Sequence, residues 1–234
     1  MRILVIGGTR FIGRAIVERL LHDGHQLTLL NRGLTSDPFG TSVRRVVGDR
    51  REREVIERAA ARCDWDVVVD VTAYNEQQTR MMVEAFRERT GHLIHISTAS
   101  VYLVRPDRLP PYREEDAAGL LPHPTDRSDP GWLYGLHKRR CEIILEQAWE
   151  EHRLPFTALR LPMVVGEHDY TRRTHAYLER LASGGPLILP DGGRNSWGFL
   201  WVEDAATTVA ANLANTGTFG RAYNLAAREI ISLA

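Results

Sequence analysis

The sequence predicts an α/β fold, a doubly wound parallel sheet with a small C-terminal lobe. Short β-branched runs alternate with longer amphipathic segments over the first 165 residues. Strands separated by helices of this length need right-handed crossovers, and so form a parallel sheet covered on both faces. Prolines interrupt the alternation at residues 105–131, and the pattern changes again after Gly166.

Each element follows from its local pattern. A compact apolar run predicts the first strand, and apolar residues at helical spacing then predict a helix that ends before Gly24. The same alternation repeats along the chain, and Gly91 ends a later helix. The predicted strands are 2–6, 26–30, 45–47, 67–71, 92–97 and 156–161, and the predicted helices are 11–22, 51–62, 76–89 and 132–152.

The remaining segments predict a loop and a lobe. The proline-rich stretch 105–131 predicts a long loop, a length typical of lids and binding loops. Later the sequence predicts a helix at 170–181, turns at 184–186 and 190–194, a strand at 199–202 and a helix at 203–213. We expect a main domain of residues 1–165, to which 199–214 return, and a lobe of 166–198 and 215–234. We expect this lobe to be truncated, because the chain stops where another helix would start.

Composition limits the class of protein. The formal net charge is +0, so no global field favours nucleic acid as a partner. No apolar run approaches the ~20 residues that cross a bilayer. The N-terminus has no signal-peptide pattern, and two distant cysteines are typical of reduced thiols. Nine histidines show no metal-ligand spacing. We expect a cytoplasmic protein without membrane, nucleic-acid or metal partners.

A glycine-rich turn joins the first strand to the first helix. In this context backbone amides can approach a pyrophosphate at a helix N-terminus. Gly7 allows the tight turn, Gly8 the close approach, and Gly13 the packing of helix on strand. The pattern predicts a Rossmann-type dinucleotide-binding domain in residues 1–165, with a purely structural turn as the alternative. The motif is Gly7-Gly8-Thr9-Arg10-Phe11-Ile12-Gly13.

The residues after the second strand bear on the choice of cofactor. An acidic residue here normally binds the ribose hydroxyls of NAD, but the chain has Asn31 and Arg32. Arg32, alone or with Arg10, would hold a 2′-phosphate by charge-assisted hydrogen bonds. We therefore expect NADP in preference to NAD. Asp49 would accept a hydrogen bond from the adenine amine, unless it is an ordinary solvated acid.

A tyrosine and the only lysine of the chain predict the chemistry. Lys138 stands four residues after Tyr134, in a chain with 29 arginines. Residues four apart share a helix face. A compact ammonium would lower the tyrosine pKa from about 10 toward working pH. The apolar stripe through Cys141, Leu145 and Ala148 predicts that the pair faces inward. Chance is the alternative reading.

Hydroxyl groups end the fifth strand, at Ser97, Thr98 and Ser100. Ligands of open α/β sheets bind at this carboxyl edge. A hydroxyl-bearing strand end, an inward Tyr–Lys pair and a nicotinamide cofactor together predict a hydride-transfer site.

With these motifs the chain resembles the short-chain dehydrogenase/reductase superfamily, in particular its extended branch of NAD-dependent epimerases and dehydratases. The resemblance spans nearly all 234 residues and includes the strand end at Thr72 and Ala73, and the segments 160–166 and 199–204. It implies Tyr134 as acid/base, Lys138 as binder of the nicotinamide ribose, and Thr98 as hydrogen-bond donor to the substrate oxygen. Thr72 and Ala73 join the expected cofactor contacts.

Several residues depart from the family pattern. Dehydratases follow the threonine with an acidic pair, whereas this chain has Ala99 and Ser100, which disfavours dehydration. Sugar-nucleotide enzymes usually carry asparagine where Met163 stands, and proline where Glu167 stands, which weakens a nucleotide-sugar assignment. The motif Gly-Gly-Thr-Arg-Phe-Ile-Gly resembles that of an atypical subgroup that includes chloroplast stem-loop RNA-binding proteins.

The sequence thus predicts an NAD(P)-dependent oxidoreductase or epimerase. It would act on a hydroxyl- or carbonyl-bearing carbon of a small molecule. The alternative is a non-catalytic dinucleotide-binding regulatory or RNA-binding protein. The neutral charge and the intact Thr–Tyr–Lys set favour the enzyme. Two copies of the chain could pair through exposed helices, so a homodimer is a further expectation.

Overall fold

The computed structural model describes residues 1–123 and 129–232. Its main sheet has seven strands, all parallel, in the order β3-β2-β1-β4-β5-β6-β9. They are β1 (Arg2–Ile6), β2 (Gln26–Asn31), β3 (Val43–Val47), β4 (Val67–Asp70), β5 (Leu93–Thr98), β6 (Phe156–Leu161) and, much later in the chain, β9 (Arg221–Asn224).

Helices cover both faces of this sheet. The helices are α1 (Phe11–His22), α2 (Arg53–Ala60), α3 (Glu76–Phe86), α4 (Pro130–His152), α5 (Arg173–Ala182) and α6 (Val202–Ala211). On β1, Ile3 and Val5 pack toward α1 and α6, whereas Leu4 and Ile6 pack toward α2, α3 and α4. Strands buried on both faces are typical of parallel sheets. The predicted doubly wound α/β fold is confirmed.

The strand order reverses between β1 and β4, and this reversal positions the site. From β1 the chain runs outward through β2 to β3, then returns to β4 and continues to the other edge. Connections after β1 and β4 therefore diverge, which opens a crevice at the carboxyl ends of these strands. Gly7 follows β1, and Thr72 lies just beyond β4.

A second sheet forms the lobe, and its strands divide the chain differently from the prediction. It contains β7 (Met163–Val165), β8 (Ser196–Trp201) and β10 (Ile230–Ser232), in the order β10-β8-β7. The predicted strand 199–202 corresponds to β8, which ends at Trp201 and pairs with β7 and β10 in this second sheet, while Val202 begins α6. Residues 221–224, predicted in the lobe, form the edge strand of the main sheet. These strands are short, and their partners are distant in sequence, so local patterns carried no signal of the pairing.

The predicted loop 105–131 includes a short 3-10 turn at Glu114–Ala117. Side chains from the core hold this turn, because Arg160 Nη1 donates to Glu114 O at 2.9 Å and Arg139 Nε donates to Ala117 O at 3.0 Å. Residues 124–128 of the predicted loop, and 233–234 of the predicted lobe, lie outside the described residues. In the described part, no helix is long and apolar enough to cross a membrane.

Candidate active site

The glycine turn is too closely packed for side chains. Gly7 has φ +93°, a backbone conformation that other residues rarely adopt, and a Cβ there would collide with Thr72. A Cβ on Gly13 would collide with the Gly7 carbonyl oxygen, and one on Gly8 would lie 2.6 Å from Val17 Cγ2. The turn therefore presses α1 against the strand end, and brings Gly7 beside Thr72.

The other residues of the motif lie around the start of α1. Arg10 precedes the helix, but its side chain makes no capping hydrogen bond to the first amides of α1. Its exposed guanidinium lies over the Tyr170 ring, 5.7 Å from the centroid. Phe11 is buried, and its φ of +41° is a backbone conformation that is strained for any residue with a Cβ. Thr9 is half-buried, and Ile12 packs against the core.

The end of β2 presents a buried amide and an exposed cation. Asn31 Oδ1 accepts from the Gly33 amide at 3.0 Å, whereas the buried Asn31 Nδ2 has no partner within the described residues. Arg32 is exposed, and its charge helps to lower the pKa of Asp49. Arg10 instead contacts Tyr170, so the two arginines that were predicted to act together have different neighbours.

Asp49 is already held by an arginine. Arg51 Nη2 donates to Asp49 Oδ2 at 2.7 Å, and the Arg51 amide donates to Asp49 Oδ1 at 2.9 Å. These hydrogen bonds lower the pKa of Asp49 to about 2. The carboxylate is thus ionised and oriented at neutral pH.

Thr98 and Tyr134 meet at the carboxyl edge of the sheet. Thr98 ends β5 and accepts the Ser100 amide at 3.2 Å, which starts a 3-10 turn over Ala99–Val104. Asp129 caps α4 by accepting the Trp132 amide at 2.7 Å, so Tyr134 lies in the first turns of that helix. The Thr98 side chain lies near the Tyr134 hydroxyl and acts to lower its pKa, and Tyr134 is 38% exposed.

Gly135 makes this meeting possible, and the sequence analysis missed it. A Cβ on Gly135 would collide with the Ser100 carbonyl oxygen. The helix therefore lies directly on the 3-10 turn that follows Thr98. A glycine inside a long helix destabilises it by roughly 1 kcal/mol relative to alanine, so its presence within the predicted helix was the sequence signal for a close backbone contact.

The pKa of Tyr134 differs from the expectation. Burial raises it above its ordinary value and the charge of Tyr74 adds to the rise, whereas the hydrogen bond from Thr98 opposes it. The two rings lie 6.4 Å apart between centroids. The expected net lowering of the tyrosine pKa below about 10 is therefore not seen, because burial outweighs the groups that favour the phenolate. The ammonium is directed at other acceptors in the protein interior.

The predicted inward orientation of the pair is confirmed for Lys138, which is 2% exposed, but not for Tyr134, which is 38% exposed. Its Nζ donates to Ala73 O and Ile96 O, both at 2.7 Å, and lies 3.0 Å from His95 Nε2. Burial lowers the pKa of Lys138 to about 8. Burial, and then the charge of Lys138, hold the pKa of His95 well below its ordinary value. Two predicted residues, Ala73 and Lys138, are thus in direct contact.

A buried ion pair fixes the end of β4 near this lysine. Arg50 Nη1 donates to Asp70 Oδ1 at 3.0 Å, and the Thr72 amide donates to the same oxygen at 3.1 Å. Arg50 Nη2 also reaches Gln78 O at 3.2 Å. The pair positions Thr72 behind the glycine turn, and the charge of Asp70 raises the pKa of Lys138. No local sequence pattern pointed to this pair.

Glu142 joins three elements one turn beyond Lys138. Its Oε1 accepts from Ser97 Oγ at 2.6 Å and from Arg160 Nε at 3.0 Å. Its Oε2 accepts from Arg160 Nη2 at 2.8 Å and from Arg139 Nη1 at 3.1 Å. The carboxylate thus ties α4 to the strands that end in Thr98 and Leu161. Among the described residues, no group of His, Cys, Asp and Glu could hold a metal ion.

The sequence of the chain is similar to those of known proteins. The model of the NAD dependent epimerase/dehydratase family matches residues 3–226. The chloroplast stem-loop binding protein of 41 kDa b from Arabidopsis thaliana is 27% identical over 244 residues, covering 99% of this chain and 60% of that protein. The 2'-dehydrokanamycin reductase of Streptomyces kanamyceticus is 26% identical over 233 residues, covering 98% of this chain and 62% of that protein. The chain thus spans about three fifths of the length of these relatives.

A solved structure supports the fold. The dTDP-glucose 4,6-dehydratase of Bacillus anthracis, in complex with NAD, aligns with a TM-score of 0.80 at 21% identity. The alignment covers 99% of this chain and 77% of the dehydratase.

Proposed function

Since the chain belongs to the NAD-dependent epimerase/dehydratase family, we propose that it is an NAD(P)-dependent oxidoreductase or epimerase. The substrate is a small molecule with a hydroxyl- or carbonyl-bearing carbon. The observation that carries the proposal is the contact between Tyr134 and Thr98, at the edge that the glycine turn also reaches. A binding protein would need the turn but not this pair.

The cleft fits a dinucleotide on two observations. The turn is so tight that a Cβ at Gly7 would collide with the Thr72 side chain and one at Gly13 with the Gly7 carbonyl oxygen, so neither glycine can be replaced without opening it. The buried Asn31 Nδ2 has an unused donor at the end of β2. We assign the pyrophosphate to the amides of residues 7–13, and the adenosine half to Asn31, Arg32 and Asp49. Thr72, Ala73 and Lys138 border the nicotinamide half, and the bound nicotinamide supplies or accepts a hydride.

Tyr134 moves the proton. Because its pKa is raised, the phenol is protonated at neutral pH and is ready to donate to a carbonyl oxygen during reduction. Thr98 orients the same oxygen by a hydrogen bond. Donation leaves a phenolate, which the ammonium of Lys138 stabilises, and in the reverse direction this phenolate accepts the hydroxyl proton and becomes the phenol again. The partly exposed ring exchanges its proton with water.

Replacing the acid tests the assignment. We expect Tyr134→Phe to abolish turnover, because the proton donor is lost, while cofactor affinity stays nearly unchanged. Ligands released from the purified protein, identified by mass spectrometry, supply the substrate and cofactor for the assay. The control is Tyr223→Phe, the same change in β9, where the hydroxyl is 3.5 Å from Gly217 O. Unchanged turnover in Tyr134→Phe would refute the function.

We further propose NADP as the preferred cofactor. Arg32 is exposed beside the cleft and makes no hydrogen bond within the described residues, so it is available to a 2′-phosphate. We expect Arg32→Ala to weaken NADPH binding about tenfold or more and to leave NADH binding nearly unchanged, since a charge-assisted hydrogen bond contributes roughly 1.5–3 kcal/mol. Nicotinamide fluorescence titration measures both. Equal losses for the two cofactors would contradict the assignment.

One relative favours a second candidate function. The Arabidopsis protein is named for binding a stem-loop, so RNA binding is the alternative for this chain. Its affinity would fall steeply with added salt, because phosphate contacts release counterions. Filter binding of a stem-loop RNA at low and high salt distinguishes the two functions. The formal net charge of +0 favours the enzyme.

A further inference from the structure

The ammonium of Lys138 has three acceptors inside the protein. Two are backbone carbonyls, those of Ala73 and Ile96, which any residue at those positions would provide. The third is a side chain, His95 Nε2, at 3.0 Å. An ammonium has three protons, so the imidazole completes its coordination. His95 is therefore the one contact of the three that depends on residue identity.

The imidazole acts as an acceptor only when it is neutral. His95 is 1% exposed, in the middle of β5, and its burial opposes protonation. A neutral ring that accepts at Nε2 carries its proton on Nδ1. An imidazolium would repel the adjacent ammonium. Burial thus keeps the ring neutral, and the contact with Lys138 requires the neutral tautomer with its proton on Nδ1.

We propose that His95 is a positioning residue of the active site, which holds the Lys138 ammonium in place behind Tyr134 and Thr98. This inference rests on the proposed function, in which that ammonium stabilises the phenolate of Tyr134. The phenolate of Tyr134, which lies beside Thr98 at the end of the same strand, needs a positive charge at a fixed position. His95 provides it through Lys138 and does not touch substrate.

Other charged and titratable groups also act on Lys138, and the test must separate them from His95. Asp70 at the end of β4, and Cys141 and Glu142 on α4, raise the pKa of Lys138, whereas Arg50 lowers it. None of these groups is changed by substitution at His95. A change in the titration of Lys138 would therefore report the lost acceptor.

Because Lys138 is the only lysine, it gives a single side-chain signal after lysine-specific 13C labelling. His95→Phe keeps a ring but removes the acceptor, which leaves an ammonium proton buried without a partner. We expect the Lys138 pKa, about 8 in the unaltered protein, to fall by about one unit or more. His95→Gln, which retains an acceptor at similar reach, should restore most of the shift.

His92 offers a matched control. It is equally buried just before β5, but its Nε2 lies 2.9 Å from Thr157 Oγ1. We expect His92→Phe to leave the Lys138 titration unchanged. An unchanged titration in His95→Phe, or an equal shift in His92→Phe, would overturn the proposal.

A measurement on the unaltered protein keeps the proposal testable if His95→Phe does not fold. In 15N spectra of the labelled imidazoles, assigned with His95→Gln, His95 should be the Nδ1–H tautomer at neutral pH. The Nε2–H tautomer would overturn the proposal.

Turnover separates this inference from the proposed function. We expect kcat to fall at least tenfold in His95→Phe and to recover partly in His95→Gln, with KM little changed. A shifted Lys138 titration together with an active Tyr134→Phe variant would refute the function and retain the positioning contact. An unshifted titration with an inactive Tyr134→Phe variant would refute the positioning alone.

Discussion

Replacing Glu142 by glutamine tests how α4 is held against the sheet. The side chain is 0% exposed and accepts four hydrogen bonds, from Ser97, Arg139 and twice from Arg160. Glutamine has nearly the same shape, but its amide nitrogen cannot accept. The buried guanidinium groups of Arg139 (5% exposed) and Arg160 (2% exposed) would then lose the negative charge that balances them.

The expected cost follows from that burial. Removing one partner of a buried ion pair destabilises a protein by roughly 3–5 kcal/mol, because the remaining charge is uncompensated. We expect Glu142→Gln to lower the free energy of unfolding by that amount. Urea denaturation at neutral pH measures it as a lower midpoint at an unchanged m-value, provided that unfolding is two-state.

Glu146 supplies the control, because it also binds Arg139 but lies at the surface. Arg139 Nη1 reaches Glu146 Oε1 at 2.6 Å, and the Glu146 side chain is 38% exposed. Exposed pairs contribute about 0–1 kcal/mol, so Glu146→Gln should cost no more than that. If Glu142→Gln lost less than about 1 kcal/mol, or no more than Glu146→Gln, the carboxylate would not be the hub that the geometry indicates.

Three further predictions concern single contacts. Gly135→Ala should destabilise the protein by about 1–3 kcal/mol through its clash with Ser100 O, although alanine is normally the better helix former; thermal unfolding would show this, and a higher Tm than in the unaltered protein would contradict the close packing. Burial lowers the pKa of His92 to about 4. As pH falls from ~6.5 to about 4, the unfolded chain therefore binds a proton at His92 before the folded protein does, and about 3 kcal/mol of stability, complete above pH ~6.5, is lost. Urea midpoints from pH 7 to pH 4 should therefore fall less steeply in His92→Gln, and parallel curves would exclude this origin. Asn75→Ala should cost about 0.5–2 kcal/mol by removing the cap on α3, where Asn75 Oδ1 accepts the Gln78 amide at 3.1 Å; chemical denaturation measures it, and a neutral result would show that the cap is dispensable.

Much of the architecture could be predicted because its causes are local. The strand β1, the turn Gly7–Gly13 and α1 are consecutive in the chain, and apolar period and glycine positions identify them directly. The inward orientation of Lys138 also followed from one helix stripe. Where the chain alternates regularly, the pattern was sufficient for a doubly wound sheet.

The contacts that the prediction missed join residues that are distant in sequence. His95 approaches Lys138 across 43 positions, and Arg50 binds Asp70 across 20. The edge strand β9 pairs with β6 although a whole lobe intervenes. A histidine in a strand or an arginine before a helix carries no local sign of its partner, so only the folded chain identifies these contacts.

The sequence by itself determined the fold class, the glycine turn and the identity of the tyrosine and lysine, because local spacing and residue type decide these features. The tertiary structure alone decided where the charges point. It placed Tyr134 against Thr98 and directed Lys138 to Ala73, Ile96 and His95. The direction of a buried ammonium depends on which acceptors surround it, and those acceptors come from separate strands that only folding brings together.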